Sequence, residues 1–111
     1  MKDFTDDEMN ALLPKARPYS VVILRSGPNY AADDAGPIVW EHGRRNFGLR
    51  DAGALAIVLP VMDDSDLCGI GIFTVSVDET IAIMADDPGV LAGVFTFEVH
   101  PGVGFPGDTL P

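Results

Sequence analysis

A proline lies inside one of the most apolar segments of the chain, and it restricts where that segment can sit in a sheet. The segment runs from Ala54 to Met62 and contains Pro60. Because proline has no N–H to donate to a strand ladder, the segment is predicted to be an edge strand. Both of its faces are apolar, however, which is unusual for an exposed edge. We therefore expect a second subunit of a homodimer to cover it.

Three other segments have strand character. Residues Tyr19–Arg25 are β-branched or apolar at both odd and even positions, as in a central strand that is buried on both faces. Residues Cys68–Val75 and Val94–Val99 are predicted to be the third and fourth strands, with Phe95, Phe97 and Val99 on one face of the fourth. The sequence thus predicts four strands, of which the one with Pro60 is an edge.

Helix signals separate these strands in two places. Pro37 and Gly53 fit the first turn and the end of one helix, and Ser76 with Glu79 forms a capping box that opens a second helix. The resulting order is βαββαβ. This order predicts an α+β, ferredoxin-like fold with an antiparallel sheet whose first and third strands are central.

The chain is predicted to contain one domain and a short appendage. Residues 1–18 include a Thr5-x-x-Glu8 capping box and two prolines, which favours a short helix outside the core. Residues 19–111 form the domain, and the segment from about residue 101 is rich in proline and glycine and is expected to be irregular.

Charge and composition exclude several classes of partner. The net charge is −10, and all seven Lys and Arg residues fall within the first fifty positions. Such a chain repels nucleic acid and anionic lipid. No apolar run has the length of a membrane span, no export signal is evident, and Cys68 has no second cysteine to pair with, so we expect a cytoplasmic protein. The 47% hydrophobic content also favours a subunit interface.

Two residues are candidates for chemistry. Asp87 precedes Pro88, where its carboxylate is well placed to cap the following turn. On the helix that starts at Pro37, a spacing of about 100° per residue gathers an apolar arc that also contains His42 and Asn46. The apolar members of this arc are Ile38, Val39, Trp40, Phe47 and Leu49.

The stretch around Asp87 resembles the YCII-related (YciI-like) family. The resemblance rests on Asp87-Pro88-Gly89, on the segment 92–95 and on Glu98-Val99-His100-Pro101. It implies a dimeric α/β barrel built from two ferredoxin-like sheets, and an acid/base pair formed by His42 and Asp87. It also implies proton abstraction, elimination or hydrolysis on a small organic substrate. Members commonly have Gly-Pro at the end of the second strand, where this chain has Leu59-Pro60.

Four further residues are predicted to contact a small-molecule substrate. Arg25 and Arg45 are candidates to hold an anionic group, Asn46 lies one turn from His42, and Tyr30 lies in a long loop that follows the first strand. No cofactor motif is present, since Gly69-x-Gly71 lacks the third glycine of a dinucleotide fingerprint. The acidic run 63–66 lacks the pattern of a calcium loop, so no metal is expected.

Two other functions stay open at this level. The chain is also compatible with a noncatalytic ligand-binding or accessory domain, since fold does not determine function. The third possibility is a cofactor-free monooxygenase of the dimeric barrel type, for which an oxidisable phenolic substrate and well-placed Trp and Asn residues would be expected. Trp40 and Asn46 are compatible with this function but do not select it. His100 is expected on the opposite face of the sheet from His42 and Cys68 lacks an activating neighbour, so both are predicted to be structural.

Overall fold

The computed structural model describes residues 1–111 and contains four helices and one four-stranded sheet. The elements in chain order are α1 (Asp6–Leu12), a 3₁₀ turn (Leu13–Lys15), β1 (Arg17–Ser26), α2 (Ala35–Asp51), β2 (Leu55–Pro60), β3 (Leu67–Phe73), α3 (Val77–Ala85), α4 (Pro88–Leu91) and β4 (Phe95–Gly104). From β1 onward this is the predicted βαββαβ order, with α4 as one additional short turn.

The sheet has the order β2-β3-β1-β4, and all of its pairs are antiparallel. The two inner strands are therefore β1 and β3, and Pro60 lies on the edge strand β2, which confirms both predictions. This arrangement is an α+β architecture compatible with the ferredoxin-like fold. It brings the end of β1 next to the start of β4, where the loop to α2 and the turn after α4 also meet.

The core lies between the helices and one face of the sheet. Its buried residues come from the four strands, from α2 and α3, and from the turn before β4. They are Val22, Leu24, Ala35, Leu55, Phe73, Met84, Val94 and Phe95. The strand positions between these residues point to the other face, which we call the open face. It carries two cross-strand rows of aliphatic side chains, Ile57–Ile72–Val21 and Leu59–Ile70–Ile23.

Helix α2 differs from its prediction at both its start and its apolar arc. It begins at Ala35, two residues before Pro37, because a proline in the first turn removes only an N–H that has no acceptor within the helix. Gly53, with φ of 80°, follows its C-cap as predicted. Ile38 and Leu49 pack against the core, but Trp40 and Phe47 are 70% and 67% exposed. Only part of the arc is therefore buried.

The C-terminal prediction was wrong over residues 101–104. Strand β4 continues through Pro101 to Gly104, where it pairs with the first residues of β1. The proline is tolerated because β4 is an edge strand. The appendage prediction holds for α1, whose capping box joins Thr5 and Glu8 and which has no buried residue. The domain nevertheless starts at Arg17, where β1 begins.

The longest helix, α2, has 17 residues. No helix combines the length and the apolar character needed to cross a membrane.

Candidate functional site

Asp87 occupies the junction between α3 and α4 and is completely buried. Its backbone is extended, as the following Pro88 requires, and its Oδ2 accepts hydrogen bonds from the N–H groups of Gly89 at 2.9 Å and Val90 at 3.3 Å. The predicted capping role is therefore confirmed. Capping uses only part of the acceptor capacity of a carboxylate, so Asp87 can also bind a side chain.

His42 on α2 lies against this carboxylate. Its Nδ1 is 2.8 Å from Oδ1 and 2.9 Å from Oδ2 of Asp87, and the side chain of His42 is 12% exposed. An ionised carboxylate only accepts hydrogen bonds, so Nδ1 carries the proton and the neutral ring has its lone pair on Nε2. The side-chain nitrogen of Asn46, one turn along α2, lies 3.3 Å from Nε2. The arrangement leaves Nε2 as the basic nitrogen.

Phe95 and Gly89 determine how the histidine ring is held. The ring of Phe95, the first residue of β4, packs against the ring of His42 with 4.8 Å between centroids. A Cβ at Gly89 would lie 2.5 Å from the ring of Phe95. A side chain at residue 89 would therefore displace Phe95. This contact explains why a residue without a side chain follows the Asp-Pro pair.

Two opposing effects set the acidity of Asp87. Burial alone would raise the pKa of this carboxyl group. The hydrogen bond from His42 and the positive charge of this ring when it is protonated, with the N–H groups of Val90 and Gly89, outweigh burial and lower the pKa below its ordinary value. Asp87 is thus held as a carboxylate, the form that orients the imidazole and stabilises a positive charge on it.

Arg45 and Arg25, the two arginines predicted to hold an anionic group, have acidic partners within the chain. Arg45 Nη1 lies 3.8 Å from Oδ1 of Asp87, is buried and has no hydrogen-bond partner. It approaches the carboxylate and not the open side of the histidine. Arg25 projects from the open face of the sheet, where it forms salt bridges with Asp66 and Glu98. Arg25, a candidate to hold an anionic substrate group, thus lies on the open face of the sheet and pairs with two carboxylates there, while Arg45 is placed to act on Asp87.

A cavity of about 720 Å³ opens beside His42, between α2 and the β2–β3 hairpin. This volume is typical of small-molecule sites. Of its 26 lining residues 16 are hydrophobic, and Asn46 and Tyr30, two of the candidate substrate contacts, also line it. Gly69 and Gly71 belong to its lining from β3, at positions that pair with the core-facing residues Leu24 and Val22 of β1. The absence of side chains there contributes to the open volume.

Arg50, at the end of α2, also lines the cavity, and the sequence analysis did not identify it. Its position was accessible from helical periodicity, because positions 39, 43, 46 and 50 recur at the spacing of one helix face. Arg50 lies eight residues after His42 on the same helix.

The other candidate residues lie away from the cavity or are not activated. His100 bonds to Glu98 on the open face, as predicted, and Trp40 does not line the cavity. Cys68 does line it, but burial and the nearby charge of Asp66 raise the pKa of its thiol, which disfavours the nucleophilic thiolate. No three His, Cys, Asp or Glu side chains are grouped so that they could hold a metal ion.

No model of a protein family matches the chain, and no curated protein matches it. Function therefore has to be argued from the site itself.

The lowered pKa of Asp87 predicts an acid-dependent loss of stability. Its stabilising contribution is complete above the ordinary carboxyl pKa of about 3.9 and is lost as the pH falls through the lower pKa of the folded state. Urea unfolding between about pH 5 and about pH 2.5 measures this loss. The free energy of unfolding should fall less in Asp87→Asn than in the wild type. The exposed neighbour provides the control, since Asp86→Asn should behave as the wild type, and equal slopes for all three proteins would contradict the prediction.

Proposed function

We propose that the protein is a small-molecule enzyme in which His42 and Asp87 form an acid/base pair. The observation that carries the proposal is the contact of a fully buried, ionised carboxylate with Nδ1 of a histidine that lines an apolar cavity. A carboxylate in this position fixes the tautomer of the ring and orients it. These are the properties that a general base requires.

The proposed step is proton abstraction from a carbon acid, followed by elimination or rearrangement. Nε2 of His42 takes the proton, and the carboxylate of Asp87 stabilises the imidazolium that forms without accepting the proton itself. Arg45 places a positive charge 3.8 Å from the carboxylate of Asp87. Asn46 holds the ring from the side of Nε2 and has to yield this position to the substrate.

The family resemblance supports the same function. The Asp-Pro-Gly motif has a local physical explanation in the cap of α4 and the packing of Phe95. The histidine of the resemblance lies against the aspartate although 45 residues separate them. We therefore propose a YciI-like protein whose substrate is a small organic molecule and whose reaction needs no cofactor.

The alternative functions are less well supported. A cofactor-free monooxygenase would require Trp40 near the reacting molecule, and Trp40 is 70% exposed outside the cavity. A noncatalytic binding domain would explain the cavity but gives no reason for the orientation of His42 by a buried charge. An assay of turnover separates this alternative from the proposed enzyme.

A general probe of base catalysis tests the proposal without knowledge of the natural substrate. In 5-nitrobenzisoxazole, a neutral bicyclic compound, a base removes the ring C–H while the N–O bond breaks, which yields a coloured nitrophenolate. We expect the wild type to accelerate this elimination and His42→Gln to lose about a hundredfold in rate, the common contribution of a general base. The absorbance of the phenolate measures both rates.

The control is the second histidine, which lies on the open face. His100→Gln should retain the wild-type rate, because His100 lies on the open face, where its side chain bonds to Glu98. Asp87→Asn should have an intermediate rate, since Asn can still cap α4 but carries no charge to stabilise the imidazolium. A wild type no faster than His42→Gln would refute the proposed function.

We also propose that two copies pair through the open face of the sheet. The six aliphatic side chains of its two rows lie in the middle of three strands with no helix of the chain over them. Polar residues bound the rows, since Val21 pairs with His100 and Ile23 with Glu98 in β4. An apolar centre with a polar rim is typical of subunit interfaces.

The dimer predicts a mass of about twice the 11.8 kDa of the chain. Light scattering should give this value for the wild type and the monomer mass for Ile72→Arg, because a buried unpaired charge is costly at an interface. Ile81→Arg is the matched control, since Ile81 is exposed on α3, and it should stay dimeric. A monomeric wild type would contradict the proposed assembly.

A further inference from the structure

Arg50 differs from every other arginine of the chain in having no oxygen partner. Arg17 donates to two backbone carbonyls, Arg25 and Arg44 form salt bridges, and Arg45 approaches Asp87. Arg50 is exposed, and its guanidinium lies over the ring of Phe47, 5.4 Å from the ring centroid. The chain has 17 acidic residues, so a free guanidinium on a cavity wall is not explained by a shortage of carboxylates.

The charges on the cavity wall are unequally distributed. Arg50 lies at one end, where α2 ends and β2 starts, and His42 lies along the same helix. The carboxylate on the wall is Asp63, in the loop after β2, about 20 Å of strand away from Arg50. Asp63 accepts hydrogen bonds from the N–H and the hydroxyl of Ser65. The end near Arg50 is therefore positive and without a counter-ion.

The separation of Arg50 from His42 limits the size of a ligand that reaches both. Eight residues correspond to about 12 Å along a helix axis. The contact with Phe47 places the guanidinium back along the helix, toward His42, which shortens this distance. Between the two lies a wall of apolar residues and the glycines of β3. A molecule of one or two rings fits this space.

We infer that the substrate of the proposed enzyme is an apolar monocarboxylate whose carboxylate binds Arg50 and whose reacting carbon lies at His42. A planar guanidinium recognises a carboxylate through two parallel hydrogen bonds, and a single positive charge matches a monoanion. The apolar wall holds the ring or chain of the molecule, and the ring of Phe47 lies against one side of the guanidinium. This inference rests on the proposed function and adds the chemical class of the substrate.

Arg50 also lies in the last turn of α2, where a cation interacts favourably with the helix dipole. That role requires no ligand. It would lower the stability of an Arg50→Gln variant without creating a preference between charged and neutral molecules. A binding measurement therefore separates the two roles.

Calorimetric titration with 2-naphthoate and with its neutral counterpart 2-naphthamide tests the inference. We expect the wild type to bind the carboxylate about fivefold or more tightly than the amide, and Arg50→Gln to bind both equally. Arg44→Gln should keep the preference, because Arg44 is exposed on the same helix and pairs with Glu41. Equal binding of the two probes by the wild type, or no binding of either, would overturn the inference.

A second variant tests that binding occurs in this cavity. A Cβ at Gly69 would meet only ordinary contacts, the nearest being the backbone oxygen of Leu59 at 3.5 Å, so Gly69→Val should fold. Its side chain would occupy the cavity and abolish binding of both probes. Unchanged binding of 2-naphthoate to Gly69→Val would also overturn the inference.

The binding and turnover measurements test the ligand class and the proposed enzyme independently of each other. A carboxylate preference that depends on Arg50, without any elimination of 5-nitrobenzisoxazole, would refute the proposed enzyme and retain the ligand class for a binding domain. Elimination that depends on His42, without a carboxylate preference, would retain the enzyme and refute the ligand class.

Discussion

Asp87→Ala is expected to lower the free energy of unfolding by about 3 kcal/mol, the lower end of the range for removing one partner of a buried charged pair. The substitution removes the cap of α4, which alone is worth about 1 kcal/mol. It also leaves the proton on Nδ1 of His42 and the buried Nη1 of Arg45 without an acceptor nearby. For a chain of this size the melting temperature should fall by roughly 10 °C, which calorimetry measures.

Two variants separate the parts of this effect. Asp87→Asn keeps the cap and loses only the charge, so it should be clearly more stable than Asp87→Ala. Asp86→Ala replaces an exposed neighbour and should change the stability by no more than about 0.5 kcal/mol. If Asp87→Ala and Asp86→Ala have the same melting temperature, the buried pair does not stabilise the fold. The difference between Asn and Ala at residue 87 remains measurable in either case.

Gly27→Ala should destabilise the protein by a similar amount. A Cβ at Gly27 would lie 2.4 Å from the backbone oxygen of Gly93, a distance that no relaxed structure accepts. The N–H of Gly27 donates to Val94 at 2.8 Å, and that of Asn29 donates to Gly93 at 2.9 Å. Separating these backbones would break hydrogen bonds, and overpacking of this kind costs about 3 kcal/mol at the upper end of its common range.

Another glycine provides the control for backbone effects of the substitution. A Cβ at Gly48, near the end of α2, meets no atom within 4 Å. Alanine is the better helix former, so Gly48→Ala should raise the stability by about 0.5 to 1 kcal/mol. Urea unfolding of both variants measures the contrast. Equal stability of Gly27→Ala and the wild type would show that the loop after β1 does not need its close contact with the α4–β4 turn.

Local patterns in the sequence were sufficient for the order of the elements and for the strand order. Pro60 excludes an inner position and the apolar run of β1 requires one, since both rules act through the hydrogen bonds and burial of the strand itself. The caps of α1 and α3 were also predictable, because Thr5 and Ser76 bond to N–H groups three residues away. The reciprocal capping bond from the side chain of Glu79 is not formed.

Predictions from local patterns were wrong where a residue distant in the sequence determines the structure. Pro101 and Gly102 favour irregular structure, but β4 extends over them because the start of β1 supplies hydrogen-bond partners. Trp40 and Phe47 have the periodicity of core residues, yet both side chains are exposed: Phe47 lines the cavity between α2 and the β2–β3 hairpin, and Trp40 lies outside it. Hydrophobic periodicity predicts which residues share a face and not what covers that face.

The sequence alone determined that Asp87 caps a turn and that His42 lies among apolar residues, because both follow from contacts within a few positions along the chain. Only the tertiary structure determined that the two meet, since they are 45 residues apart and their contact depends on how α2 packs beside α4. It also assigned Arg45 to Asp87, Arg25 to the open face and Arg50 to the cavity. An arginine side chain is long enough to reach several neighbours, and the packing of the helices and strands determines which of them it contacts.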